Sequence, residues 1–272
     1  MNGTSSVLVN GVPGTMISVR DRGLHFGDGL FETLRCENGR LRWFDRHMAR
    51  LKLGGERLGI ELPDAALLRT EAEAVISGQS RALVKIIVTR GEATARGYAP
   101  RGDERPSRIV SAHDWPETGS SEFRVGLSPI RLGSHPLLAG LKHLNRLEQV
   151  MAQRDATARQ LSEVLMGPNA EDVVCGSMTN LFLLERSVIV TPPITHCGVA
   201  GVLRSLVLEL APQLGFTVRI ASVTIAMVEA ATALFVTNVR LGVQAVHGYE
   251  GRRLAVDERC SALQELLDGT PQ

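Results

Sequence analysis

Strand and helix signals follow one another along this chain without strict βαβ alternation, and the sharpest of them is a hairpin. Two apolar runs, 30–36 and 41–44, flank Glu37-Asn38-Gly39-Arg40. Asn-Gly between such runs specifies a tight antiparallel turn, because a type I′ turn needs positive φ at both central positions. Further strand signals lie at 7–9, 15–19, 82–90 and 107–112. Asp45 is expected to cap a helix running to Leu58, and Pro63-Asp64 to start a second one ending near Gly78. The polar stretch HDWPETGSSE at 113–122 reads as a linker between two domains. Beyond it the pattern predicts a strand at 123–128 and a helix over 141–158. Short strands follow at 163–166, 173–175, 181–184 and 187–190. A helix at 201–213, strands at 216–221 and 232–247 and a helix at 256–268 complete the pattern. This order predicts a mixed α/β (α+β) fold in two domains, 1–114 and 123–272 joined by 115–122, with a site between them.

Composition excludes several classes of function. Thirty basic residues balance 29 acidic ones, so bulk charge gives no affinity for nucleic acid. The longest apolar stretch, 225–239, is interrupted by Glu229 and threonines, so no membrane span is expected. The start of the chain lacks the basic and apolar blocks of a signal peptide. Four widely spaced cysteines without a CxxC pair suit a reduced, cytoplasmic protein and no metal site. Only Lys52, Lys85 and Lys142 among the basic residues are lysine. Spacing alone reads all three as structural or surface residues. The distinction matters only if a carbonyl cofactor is implied, since lysine can become a neutral amine and arginine cannot. Gly198-Val199-Ala200-Gly201-Val202-Leu203-Arg204 leads into a predicted helix, a start whose amides suit a phosphate. Arg50 in HMARL is a second possible anion partner.

GDGLFETLR (27–35), HMARL (47–51), RGEATARGY (90–98), SPIRLGSHPLLAGLKHLNRLEQV (128–150), TNLF (179–182) and GVAGVLR (198–204) stand in an order that resembles the fold-type IV pyridoxal-phosphate enzymes. These include D-amino-acid and branched-chain aminotransferases and 4-amino-4-deoxychorismate lyase. The run around Lys142 and the RG…RGY element resemble the lyases most. The resemblance implies the two-domain D-amino-acid-aminotransferase-like architecture, pyridoxal 5'-phosphate as cofactor and a homodimer. It makes Lys142, on the larger C-terminal domain, the Schiff-base lysine and proton shuttle. Arg50 and the amides of Val202 and Leu203 become the phosphate ligands, with Asn238 a weaker candidate. The implied reaction releases pyruvate from aminodeoxychorismate and leaves 4-aminobenzoate, a folate precursor. An aminotransferase of the same fold is the alternative.

One position departs from the family pattern. The acid expected five residues before Asn180, opposite the pyridine nitrogen, is Cys175. A neutral thiol cannot hold a pyridinium, whereas a thiolate beside a positive neighbour can. A cofactor-binding protein with weakened activity is therefore a second alternative. For the substrate carboxylates, Arg35 and Arg96 are candidates, with Tyr98 and Thr33 as polar neighbours.

Overall fold

The structure, a computed structural model, describes residues 6–93, 97–115 and 122–270. They form two units. The first comprises β1 (Val7–Val9), β2 (Val12–Pro13), α1 (Arg22–Phe26), β3 (Gly29–Glu37), β4 (Arg40–Leu41), α2 (Phe44–Leu58), α3 (Ala65–Val75), β5 (Arg81–Thr89) and β6 (Ser107–His113). Its six strands make one sheet in the order β2-β1-β6-β5-β3-β4. The expected hairpin is present, with Asn38 and Gly39 both at positive φ and Glu37 paired with Arg40. Period two divides β3 cleanly. Leu30, Glu32, Leu34 and Cys36 are buried, whereas Phe31, Thr33, Arg35 and Glu37 are half-buried on the other face. The buried apolar members pack under Phe44, Met48 and Leu51 of α2 and Leu68, Ala72 and Val75 of α3.

Several local expectations differ from the structure. Residues 15–19 are not a strand; Met16 and Val19 are exposed and find no partner strand. Helix α2 starts at Phe44 behind Trp43, which takes the left-handed conformation, so Asp45 lies in the first turn, where its charge suits the helix dipole. The short α1 carries no sequence periodicity and exists because Asp21 accepts from the Gly23 amide at 2.7 Å.

The largest difference concerns Lys142. Its segment, Leu141–Asn145, belongs by packing to the first unit and not to the C-terminal unit in which the sequence places it. It is not helical either; the helix begins at Leu147. Residues 141–145 lie along the edge of β3 instead. The Phe31 amide donates to the Lys142 carbonyl at 2.9 Å, the Leu144 amide donates to the Gly29 carbonyl at 3.0 Å, and Leu30 and His143 form a bridge. Leu141 is buried in the first unit's core. A strand edge outweighs the helical spacing because it satisfies these backbone groups directly.

The second unit contains β7 (Arg124–Leu127), α4 (Leu147–Ala158), β8 (Glu163–Met166), β9 (Asp172–Val173), β10 (Cys175–Gly176), β11 (Asn180–Glu185) and β12 (Val188–Thr191). It continues with α5 (Val202–Leu210), β13 (Thr217–Ile220), β14 (Val223–Thr224), α6 (Ile225–Ala230), β15 (Ala233–Asn238), β16 (Gly242–Ala245), β17 (Gly248–Tyr249), β18 (Arg252–Arg253) and α7 (Arg259–Asp268). The strand path is β13-β12-β11-β10-β8-β7-β17-β18, with β15 and β16 added on β11. Phe182 and Phe235 stack in its core with centroids 4.6 Å apart. Most of the linker read at 115–122 falls outside the described residues. No helix among the described residues is long and apolar enough to cross a membrane.

Candidate active site

The first unit gathers its chemistry around Phe31 and Glu32, neighbours on β3. The Lys142 Nζ lies 4.2 Å from the centroid of the Phe31 ring. Glu32 points to the opposite face, into the core under α2, and is fully buried. It accepts from Arg50 Nε at 2.8 Å, from Arg50 Nη2, and from His47 Nδ1 at 2.7 Å. His47 and Arg50 are three residues apart, so one face of α2 delivers both to one carboxylate. Burial opposes the charge on Glu32, but Arg50 and then His47 outweigh it and hold its pKa at about 2. Burial drives His47 the other way, below the ordinary histidine value, and the positive charges of Arg50 and Lys142 add to that. His47 is therefore neutral, and its buried Nε2 has no hydrogen-bond partner among the described residues. Arg50 is thus locked by a carboxylate on one side, the arrangement a fixed anion-binding guanidinium needs.

The motif residues around this group are mainly scaffolding. Asp28 of GDGLFETLR receives Arg22 Nε and Arg90 Nε, each at 2.8 Å. Gly27 has a φ of 64° and faces Asn145, so any side chain there would collide with the Lys142 segment.

In the second unit, Glu163 organises the turn that carries Cys175 and Asn180. Its buried carboxylate accepts from the amides of Val164, Ser177 and Met178 at 2.9–3.1 Å, and from Thr179 Oγ1 at 3.0 Å. Gln153 and the Ser177 hydroxyl complete the set. Cys175 lies on β10 between Met166 and Asn180. It is buried with Cys197, Leu132, Ala152, Ala156, Val164 and Met166. Burial pushes its thiol far up, and Cys197 and Glu163 push it further. Burial thus works against the thiolate that the sequence left open at Cys175.

Helix α5 begins behind Gly201 with no side-chain cap, leaving its first amides for another acceptor. A Cβ at Gly201 would collide with Asn180 Oδ1. Asn180 also holds the approach to the helix, donating to the Val199 carbonyl at 2.9 Å. Asn238 is committed to a hairpin turn, donating to the Met178 carbonyl and accepting from the Leu241 amide.

The substrate candidates separate. Thr33 shares the Phe31 face of β3. So does Arg35, but it pairs with Glu37 and stacks on Trp115 at 4.8 Å. Tyr98 is exposed and packs on Phe26, while its carbonyl accepts from Arg22. Arg96 lies outside the described residues. Sequence reasoning missed Glu32, His47 and Glu163. A signal existed for Glu32: an acid on the apolar face of an alternating strand must be paired.

The profile of the amino-transferase class IV family matches residues 29–249. The chain belongs to this family. Among class IV relatives, aminodeoxychorismate lyase of Vibrio harveyi is 32% identical over 96% of this chain and 97% of its own length. The crystal structure of 4-amino-4-deoxychorismate lyase from Pseudomonas aeruginosa superposes with a TM-score of 0.88 at 40% identity, covering 96% of this chain and 97% of that one. A branched-chain amino acid aminotransferase of T.th., solved with pyridoxamine 5'-phosphate, shares the class IV fold at 22% identity, with a TM-score of 0.85 and coverage of 96% and 92%.

The residues present fit the cofactor this family implies in two of three respects. An amine is fixed at Phe31, and Arg50 in the first unit and the open amides of α5 in the second are each of a kind that suits a phosphate. The third respect, an acid for the pyridine nitrogen, is not met by Cys175.

Proposed function

We propose that the chain is a pyridoxal-phosphate-dependent aminodeoxychorismate lyase, releasing pyruvate from aminodeoxychorismate and leaving 4-aminobenzoate for folate synthesis. The observation that carries this reading is the full-length similarity to two lyases, on a chain whose Lys142 is pinned to the β3 edge. Lys142 is the residue that would carry the cofactor. Arg50 and the amides of Val202 and Leu203 would hold its phosphate. When bound, the cofactor supplies an electron sink for the carbon that bears the substrate nitrogen. The Lys142 Nζ removes the proton from that ring carbon. It then returns a proton to the departing enolpyruvyl group, whose C–O bond breaks as the ring becomes aromatic. Glu32 holds the Arg50 guanidinium in one orientation throughout.

The test is formation of 4-aminobenzoate from enzymatically generated aminodeoxychorismate by the pyridoxal-phosphate-loaded protein. Production by the wild type, lost in Lys142→Ala, is the expected result. Amino transfer from D-alanine to 2-oxoglutarate without any 4-aminobenzoate would overturn it.

The neutral Cys175 thiol favours the lyase over the aminotransferase. Aromatisation drives the elimination, so the lyase asks less of the pyridine nitrogen than a transaminase does. Cys175→Glu should therefore raise D-alanine transamination by about 10-fold or more, since a fixed charge aimed at a reacting group is worth up to about 10²–10³. Over the same change, 4-aminobenzoate formation should shift by less than about 10-fold. The reverse pattern, a large gain in lyase turnover with transamination unchanged, would sink the argument.

The proposal extends to a homodimer in the cytoplasm. Leu147, Val150 and Met151 of α4 are exposed apolar side chains that a second copy would cover. The four cysteines are unpaired and buried, which suits a reducing compartment. Sedimentation velocity should give twice the 29.4 kDa chain mass, and a purely monomeric species would contradict it.

A further inference from the structure

Arg240 stands on the turn between β15 and β16, and that turn is held from two sides. Asn238 donates to the Met178 carbonyl at 3.2 Å and accepts from the Leu241 amide at 2.8 Å, so the turn lies against the one that joins β10 to β11. Gln264 of α7 accepts from the Val243 amide at 2.7 Å, and a Cβ at Gly242, whose φ is 71°, would collide with the same side chain. Arg240 is half-buried on this turn. Its Nη2 lies 3.8 Å from Met178 Sδ. A thioether is a weak acceptor and carries no charge. No carboxylate among the described residues pairs with Arg240.

Other arginines of this unit are better matched. Arg159 has Glu250 and Asp155, Arg259 has Asp257, and Arg204 and Arg252 donate to backbone carbonyls. Arg240 keeps a planar, permanently charged fork with only a sulfur beside it. Such a fork suits a carboxylate, and a turn already held in place presents it at little entropic cost. Its place selects the carboxylate. Met178 is 42% exposed and belongs to the turn between Cys175 and Asn180, whose amides Glu163 gathers. Asn180, at the far end of that turn, bonds to the approach of α5. Arg240 therefore stands at the end of the unit that carries the cofactor-holding candidates. In aminodeoxychorismate the enolpyruvyl ether is on the carbon next to the one that bears the nitrogen, whereas the ring carboxylate is para to the nitrogen. The carboxylate nearer the reacting carbon is the enolpyruvyl one, and the exposed Met178 side chain offers its methylene an apolar neighbour. We propose that Arg240 holds the enolpyruvyl carboxylate, the group that departs as pyruvate. This rests on the reading of the chain as an aminodeoxychorismate lyase. It makes Arg240, which no sequence motif singles out, a specificity residue.

Chorismate keeps the enolpyruvyl carboxylate and has a hydroxyl in place of the amine, whereas 4-aminobenzoate lacks that carboxylate, so the pair discriminates. Steady-state kinetics of the loaded wild type, Arg240→Gln and Arg240→Lys are compared, with each compound as an added inhibitor. Chorismate is also titrated calorimetrically onto protein whose cofactor has been fixed with borohydride, where no turnover intervenes. In Arg240→Gln, the KM for aminodeoxychorismate and both chorismate constants should rise about 10–100-fold, the usual worth of a charge-assisted hydrogen bond. The inhibition constant of 4-aminobenzoate should stay within about threefold of the wild type. Arg240→Lys, which keeps the charge but not the fork, should fall between the two, within about 10-fold of the wild type. The cofactor's visible band should persist in both variants. Unchanged chorismate constants in Arg240→Gln would overturn the proposal. So would an equal rise for 4-aminobenzoate, which would put the ring carboxylate at Arg240, or loss of the visible band, which would make the residue structural. Failure of the wild type to form 4-aminobenzoate would instead overturn the lyase reading itself.

Discussion

Lys142→Ala should lower 4-aminobenzoate formation by about 10³-fold or more, because one side chain supplies both the attachment point and the proton transfer. The loss should come without unfolding. Leu141 is the buried anchor of the segment, and the hydrogen bonds to β3 use its backbone, so the alanine variant keeps both. Thermal unfolding within a few degrees of the wild type should therefore accompany the loss. Lys142→Arg should be as inactive, since a guanidinium does not give up its proton near neutral pH. Turnover in either variant within about 10-fold of the wild type would remove Lys142 from the mechanism.

Glu32→Gln should be the most destabilising conservative change in the first unit. The carboxylate is fully buried and serves two partners, Arg50 and His47. Breaking such a group costs about 3 kcal/mol, or roughly 6–12 °C in a domain of this size. The effect has a pH signature. The folded pKa of Glu32 is about 2, against 4.5 for an ordinary glutamate. A carboxylate whose folded pKa is depressed contributes stability that is fully present above 4.5 and is lost as the pH falls from there towards 2. The gap in Tm between wild type and Glu32→Gln should thus be constant from pH 6 to 8 and narrow below 4.5. His47 adds acid lability of its own. Its depressed folded pKa means that the unfolded chain takes up a proton first as the pH drops below 6.5. Equal melting temperatures at pH 7, or a gap that ignores pH, would show that the carboxylate does not bind the helix to the strand.

Much of this molecule was legible in the chain. The Asn38-Gly39 hairpin, the α2 and α3 segments and the strands from Glu163 to Thr191 follow from period and turn chemistry acting over a few residues. The family membership was legible in long runs such as the one around Lys142, and those runs are what imply roles for Lys142, Arg50 and the α5 start. The errors arose where distant backbone decided the outcome. Residues 141–145 carry helical spacing but bond to β3, more than a hundred residues away. Residues 15–19 carry strand spacing but have no strand to pair with.

The sequence by itself determined the fold class, and its resemblance to the family pointed to Lys142 as the candidate reactive lysine, a role arginine cannot take. It also showed that the acid at position 175 is missing. Only the tertiary structure showed the surroundings of what stands there: burial among Cys197, Val164 and Met166 pushes the Cys175 thiol away from the thiolate. Likewise it alone brought Glu32 and His47 to Arg50, and Lys85 to the ring that Lys142 touches. These are long-range contacts, set by sheet register and helix packing, and such contacts determine which charges are paired.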